Sequence, residues 1–200
     1  MITIKIGPCP IQIHFTCFAL LAFCCIFTGM GGGALCFTGV ILHEFAHLGA
    51  MMGLGAVPAG IYVSALGCRI VLGKRTLLPD WKHIVISLAG PAANLLTFLT
   101  AFFFGQRDSL FAMVNLGLGL IHSLPVEPLD GGLAFHYALR GLLGEERAGR
   151  ITRLVSVLFL IPIAVLGFLV LLQTQYNYSL LALSVYLMLY LVLGKEYAAF

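Results

Sequence analysis

Charged residues are scarce in this chain of 200 residues. They make up 10% of the sequence, with 8 Asp and Glu against 11 Lys and Arg, while hydrophobic residues make up 60%. A soluble globular protein has roughly a quarter of its residues charged, so this chain cannot cover a water-exposed surface. A net charge of +3 without any basic stripe also excludes a nucleic-acid partner. The composition excludes intrinsic disorder and predicts a protein that resides in the lipid bilayer.

Paired cysteines are missing as well. The chain has 6 cysteines but no CxxC pair and no zinc-ribbon spacing, and most of these cysteines lie inside apolar runs. This distribution favours small buried hydrophobic side chains over a disulfide framework. Any metal site in this protein must therefore use ligands other than cysteine.

Apolar runs long enough to cross a membrane occur along the whole sequence. Crossing the hydrocarbon core takes roughly 20 helical residues, and runs of about this size lie at residues 11–28, 34–53, 83–105, 110–124, 154–172 and 179–193. The fourth run gives a helix of only about 22 Å, which is too short to cross alone. We predict an all-α polytopic membrane protein with about six transmembrane helices, forming a single domain over residues 1–200.

One segment between the second and third runs does not fit a helix. Residues 56–72 hold two short β-prone stretches, residues 61–63 and 69–72, on either side of the turn-like Leu66-Gly67. Such stretches around a glycine turn are typical of a hairpin. We predict a short membrane-associated β-hairpin at this position.

The positive charges are distributed asymmetrically about the predicted spans. With six spans, all but one of the 11 Lys and Arg residues fall on one side of the membrane, the exception being Arg107. Because positive residues are retained in the cytoplasm, this distribution predicts a multi-pass protein with both termini cytoplasmic.

The second apolar run contains His43-Glu44-Phe45-Ala46-His47, an HExxH motif. Residues four apart lie on one face of a helix, so both imidazoles can bind one zinc ion while Glu44 acts as the general base. The alternatives are that the pattern arises by chance, or that the histidines are satisfied in the core of a helix bundle. Ionisable groups at bilayer depth are costly, so three of them within five residues favour the metal site.

A catalytic zinc ion usually takes three protein ligands, and Asp130 is the candidate for the third. It lies in Leu124-Pro125-Val126-Glu127-Pro128-Leu129-Asp130-Gly131-Gly132, where prolines and glycines break the helix. The second and fourth runs both lead inward, which brings Asp130 to the depth of His43 and His47. The alternative for Asp130 is a solvated residue capping the next helix. We interpret Glu127 as a solvated carboxylate at the mouth of the cavity, with a role near the metal as its alternative.

These motifs together resemble the site-2 protease family of intramembrane zinc metalloproteases. The resemblance rests on HEFAH in a transmembrane helix, Ala89-Gly90-Pro91-Ala92-Ala93-Asn94 in a later helix, and the PxxPLDGG loop that follows. The short N-terminus and the lack of a PDZ insertion resemble the branch that processes a sigma-factor precursor during sporulation. That branch often carries a CBS domain, and we expect neither a CBS nor a PDZ domain in this chain.

Two residues near these motifs have open roles. Where the family usually has an asparagine ahead of the LDGG loop, this chain has His122, so the resemblance implies a catalytic donor to the developing oxyanion at this position. Contact with the metal and a purely structural role are the alternatives for His122. Asn94 either bonds near the metal site or joins two membrane helices.

The resemblance implies a zinc metalloendopeptidase with one Zn²⁺ per chain in a bacterial cell membrane. His43, His47 and Asp130 would bind the metal, and Glu44 with His122 would carry the catalysis. The substrate would be a membrane-bound or membrane-tethered protein, with an inhibitory membrane partner as a further expectation. Two other classes remain open: a non-catalytic relative that binds membrane proteins, and a metal-ion transporter.

Overall fold

The structure of the protein, a computed structural model, describes residues 2–6, 9–56, 58–64, 67–72, 78–175 and 178–193. The chain divides into two compact units. The first comprises the described residues up to 79 together with residues 89–120, and the second comprises residues 80–88 and the described residues from 121 onward. The predicted turn residue Leu66 and the predicted cytoplasmic charges Lys74, Arg75 and Lys195 lie outside the described residues.

The first unit contains a four-stranded sheet in the order β1-β2-β3-β4. Its strands are β1 (Ile2–Ile6), β2 (Cys9–Ile13), β3 (Pro58–Ser64) and β4 (Gly67–Leu72). The pairs β1–β2 and β3–β4 are antiparallel, while β2 and β3 are parallel. Parallel neighbours need a long crossover connection, and here a helix supplies it.

Two sequence predictions need correction at the N-terminus. The first apolar run was expected to be helical from Ile11, but residues 11–13 belong to β2. The all-α prediction with a single hairpin is also too narrow, because β1 and β2 join β3 and β4 in one sheet. Isoleucine recurs at every second position of the N-terminal segment, at Ile2, Ile4 and Ile6. A period of two in a β-branched residue favours a strand over a helix.

The crossover helix is α1 (Phe15–Gly53), 39 residues long. Its backbone leaves the helical conformation at Gly29, where φ is 73° and ψ is 168°. Glycine adopts positive φ without steric cost, so the break falls at the start of the glycine-rich segment between the first two predicted spans. The remainder, Thr28–Gly53, is 26 residues long and carries the HExxH motif.

Two further helices complete the first unit. Helix α2 (Asp80–Phe103) contributes its residues from Ala89 onward, and α3 (Leu110–His122) contributes its residues up to Leu120. The 13 residues of α3 span about 20 Å, in agreement with the short fourth run of the sequence. Helices α1 and α3 approach closely at Gly39, where an added Cβ would lie 3.1 Å from Val114 Cγ1. Such small-residue contacts are how membrane helices pack.

The second unit is built mainly from α4 (Asp130–Leu143), α5 (Glu145–Thr174) and α6 (Ser179–Leu193). Its apolar core joins the loop before α4 to α5 and α6. The buried residues of this core are Val126, Leu129, Leu160, Leu187 and Leu191. The core therefore fixes the segment that leads into Asp130.

Three of the described helices have the length and composition of membrane spans. Thr28–Gly53, Asp80–Phe103 and Glu145–Thr174 are long and apolar enough to cross a bilayer, and α3 and α6 are shorter apolar helices. Large apolar side chains point outward from these helices, as Phe103 and Leu154 do. An outward apolar surface is stable in lipid and unstable in water.

Candidate metal centre

The two histidines of the HExxH motif lie side by side on α1. Both are buried, with 3% of His43 and 8% of His47 exposed. The four-residue spacing stacks them on one helix face, and their Nε2 atoms are 3.1 Å apart. Two imidazole nitrogens that bind one tetrahedral zinc ion at about 2.0–2.1 Å lie about 3.3 Å from each other. The imidazole pair therefore has the spacing that zinc requires.

Gly90 of α2 faces the same pair of nitrogens. A Cβ atom added at this position would lie 2.7 Å from His43 Nε2 and closer still to His47 Nε2. Any side chain there would occupy the space beside both ligand atoms. The Gly90-Pro91 step of the sequence thus keeps open the volume that an ion needs, which is an observation in favour of a metal at this position.

Asn94 lies one turn further along α2 and contacts the site directly. Its Oδ1 atom is 2.6 Å from His43 Nδ1, and the residue is completely buried. The sequence left open whether Asn94 bonds near the metal site or joins two helices, and the contact with His43 is a bond near the candidate metal ligands. Asn94 also reaches other helices, because its amide nitrogen donates to Gly39 O and to Asn115 Oδ1.

The second unit presents Asp130 at the beginning of α4, where a carboxylate is favoured by the positive end of the helix dipole. The preceding loop is held tightly. Val126 is completely buried, and Gly132 packs so closely that an added Cβ would lie 2.7 Å from Glu127 N. One hydrogen bond attaches the loop to α5: Glu127 N–H donates to Ser156 Oγ at 3.0 Å, and Ser156 Oγ in turn donates to Thr152 O within α5.

His122, at the C-terminal end of α3, contacts this carboxylate. Its Nδ1 atom lies 2.7 Å from Asp130 Oδ2. An ionised carboxylate only accepts hydrogen bonds, so Nδ1 of His122 is the donor. Through this contact His122 can orient the Asp130 carboxylate, while its role as a donor to the developing oxyanion stays a prediction.

Glu127 differs from its sequence interpretation. The predicted solvated carboxylate is half-buried, and burial raises the pKa of the Glu127 carboxyl, with His136 and Arg153 opposing the shift. A carboxyl group of this kind is easier to protonate than one in water.

His43 and His47 belong to the first unit and Asp130 belongs to the second, and Asp130 as the third metal ligand stays a prediction from the sequence. Two imidazole nitrogens with one carboxylate oxygen are a donor set used by catalytic zinc, which leaves a fourth position for water or substrate. Glu44 follows His43 on α1 and is half-buried. The residues present thus fit zinc.

Sequence reasoning missed one residue of this region, Asn115. It is completely buried and bonded to Asn94. The signal was available, because Asn115 is an isolated amide inside the apolar run of residues 110–124. Polar groups in such a run usually have a structural or functional partner.

No protein-family model matches the chain. A protein of Synechocystis, provisionally named a zinc metalloprotease, is 28% identical over 131 residues, which are 60% of this chain and 34% of that protein. Rip3 of Mycobacterium tuberculosis, also provisionally named a zinc metalloprotease, is 31% identical over 152 residues, 64% of this chain and 38% of that protein. The chain spans just over a third of the length of these relatives.

The backbone matches that of a solved structure along the whole chain. The site-2 protease from Methanocaldococcus jannaschii superimposes with a TM-score of 0.66 and 20% sequence identity, covering 100% of this chain and 97% of that one. Similarity at this level of identity concerns the path of the backbone. The chain therefore has the fold of a site-2 protease.

Proposed function

We propose that this protein is an intramembrane zinc metalloendopeptidase of the site-2 protease type. The observation that carries the proposal is the buried His43–His47 pair on an apolar helix, with Nε2 atoms 3.1 Å apart and the side-chain-free Gly90 beside them. The fold match and the names of the relatives support the same class.

His43, His47 and Asp130 are the residues that would hold one Zn²⁺ per chain. A zinc ion bound in this way supplies Lewis acidity, which lowers the pKa of water and polarises a carbonyl group. Glu44 removes the proton from the attacking water and returns it to the leaving amine. His122 orients the Asp130 carboxylate through its Nδ1–H.

The substrate in this proposal is a membrane-bound or membrane-tethered protein, cut in or near its transmembrane segment. Carbonyl groups of an intact helix are committed to internal hydrogen bonds, so the substrate must unwind before cleavage. In the described sheet β4 lies at an edge, and an extended segment can add there as a further strand. Proline substitutions along β4 should then lower cleavage, while unchanged cleavage throughout such a scan excludes this docking mode.

The finer features of the proposal come from the sequence and the resemblance. They are a multi-pass protein of the bacterial cell membrane with both termini and the site entrance on the cytoplasmic side, a sigma-factor precursor of sporulation as the substrate, and an inhibitory membrane partner. The excess of positive charge on one side of the predicted spans supports the orientation.

The test compares wild-type protein with Glu44→Gln, using Asp108→Asn as the matched control. Asp108 is an exposed carboxylate that forms an ion pair with Arg107. Each protein is purified for zinc analysis and coexpressed with single-span proteins tagged at both ends. All three should hold about one zinc per chain, and only Glu44→Gln should fail to cut.

Other outcomes identify the alternatives. Bound zinc without a wild-type cleavage product across the panel favours a binding protein over a protease. Ion flux in reconstituted vesicles, unaffected by Glu44→Gln, favours a transporter.

A further inference from the structure

A chain of buried amides lies behind His43. Asn94 on α2 and Asn115 on α3 are both completely buried, although the surrounding helices are apolar. Polar groups removed from water are stable only when each donor and acceptor has a partner. The partners of these two residues therefore determine what the amides do.

The donors of Asn94 are fully used. Its amide nitrogen has two N–H groups, and these donate to Gly39 O at 3.2 Å and to Asn115 Oδ1 at 2.8 Å. Asn115 in turn donates to Phe111 O at 2.8 Å, which orients its own amide. The atom that Asn94 presents to His43 is consequently its oxygen, at 2.6 Å from Nδ1.

An oxygen acceptor at this distance fixes the tautomer of the imidazole. Because Asn94 Oδ1 can only accept, Nδ1 of His43 carries the proton and the lone pair lies on Nε2. Nε2 is also the atom that faces His47 Nε2 and Gly90. A histidine that ligates a metal through one nitrogen usually donates from the other to such an outer partner.

We propose that Asn94, supported by Asn115, is a positioning residue that fixes the tautomer and ring orientation of His43 for metal binding. This inference rests on the proposed function, since it concerns the same metal site. Joining the helices requires only the bonds from Asn94 to Gly39 and Asn115. The additional bond to His43 is the one that a purely structural amide does not need.

Zinc affinity measured by chelator competition tests the proposal. Asn94→Leu removes the acceptor at similar volume and should weaken zinc binding about 10- to 100-fold. Asn94→Asp keeps an acceptor for Nδ1–H and should retain most of the affinity. The matched control is Thr97→Val, one turn away on α2, which removes only the hydrogen bond from Thr97 to Ala93 O within its own helix.

A second readout does not require zinc. Nitrogen-15 chemical shifts of metal-free, histidine-labelled protein report which ring nitrogen carries the proton. The Nδ1–H form of His43 should dominate in wild type and Asn94→Asp, and it should lose its dominance in Asn94→Leu. If Asn94→Leu does not fold, Asn94→Ala takes its place because it adds no bulk. Zinc affinity should again fall, and the Nδ1–H form of His43 should again lose its dominance.

The two proposals fail in different ways. Zinc binding as tight in Asn94→Leu or Asn94→Ala as in Thr97→Val overturns the positioning role and leaves the proposed function intact. Wild-type protein that binds no zinc overturns the proposed function, whereas the tautomer measurement still decides whether Asn94 controls His43.

Discussion

The imidazole pair on α1 and the carboxylate at the start of α4 are held in different ways. His43 and His47 sit on consecutive turns of one helix, almost completely buried, and His43 is backed by amides with no exposed surface. The Asp130 side chain is 18% exposed, and its partner His122 is 32% exposed. Asp130 is the first residue of α4 and directly follows a loop that contains Pro125 and Pro128, whereas His43 and His47 lie in the interior of α1.

This difference indicates what the position of the imidazole pair and the position of the carboxylate each depend on. Helix geometry alone sets the spacing of the two imidazoles, so local sequence specifies the imidazole pair, which needs only room for the ion. The position of Asp130 depends on contacts distant in sequence, such as Ser156 on α5. We therefore expect substitutions near the imidazole pair to act by occupying space, and substitutions near Asp130 to act by loosening its support.

The largest effect is expected at Gly90. Gly90→Ala would place a methyl group against both Nε2 atoms, so zinc affinity should fall by about 100-fold or more. Gly49→Ala on α1 is the control, because a Cβ at Gly49 has no atom within 4 Å. Zinc content of the purified proteins is the measurement. Full zinc content in Gly90→Ala would place the ion elsewhere.

An intermediate effect is expected at His122. His122→Ala removes the donor to Asp130 and should lower zinc affinity about 10-fold. The amide nitrogen of asparagine is attached to Cγ, as Nδ1 of histidine is, whereas that of glutamine lies one bond further out. His122→Asn should therefore recover more affinity than His122→Gln in chelator competition. The reverse order would show that Nε2, and not Nδ1, is the atom that matters.

The smallest effect is expected at Ser156, which acts on Asp130 through the loop. Ser156→Ala leaves the Glu127 N–H without its acceptor and should lower the free energy of unfolding by about 1–3 kcal/mol. Ser184→Ala is the control, since Ser184 is equally buried but donates to Leu181 O, one turn earlier in its own helix. Denaturant unfolding in detergent measures both. Equal losses in the two variants would mean that the Ser156 contact adds nothing specific to the loop.

The sequence predicts the imidazole pair better than it predicts its surroundings. HExxH in an apolar run predicts two neighbouring imidazoles, because the helix period fixes their spacing. The amide chain from Asn115 through Asn94 to His43 joins residues 51 and 21 positions apart, and no local pattern encodes such contacts. The contact between His122 and Asp130 likewise depends on how the loop folds back.

The sheet shows the same limit. The pattern of residues 61–63 and 69–72 indicates two strands, but the parallel pairing of β2 with β3 requires α1 to return the chain. Hydropathy alone extends the first helix back to Ile11, since an isoleucine-rich strand is as apolar as a membrane span. The alternation of isoleucines was the signal that distinguishes them.

The amide of Asn94 also has a consequence for how the protein is assembled. Helices that enter a bilayer separately can slide along one another, because apolar surfaces match lipid in any register. One amide that must reach Gly39 O on one neighbour and Asn115 on another removes that freedom, since a shift by one residue breaks both bonds. The two bonds of this side chain thus help to hold α1, α2 and α3 in a single register once the helices have associated.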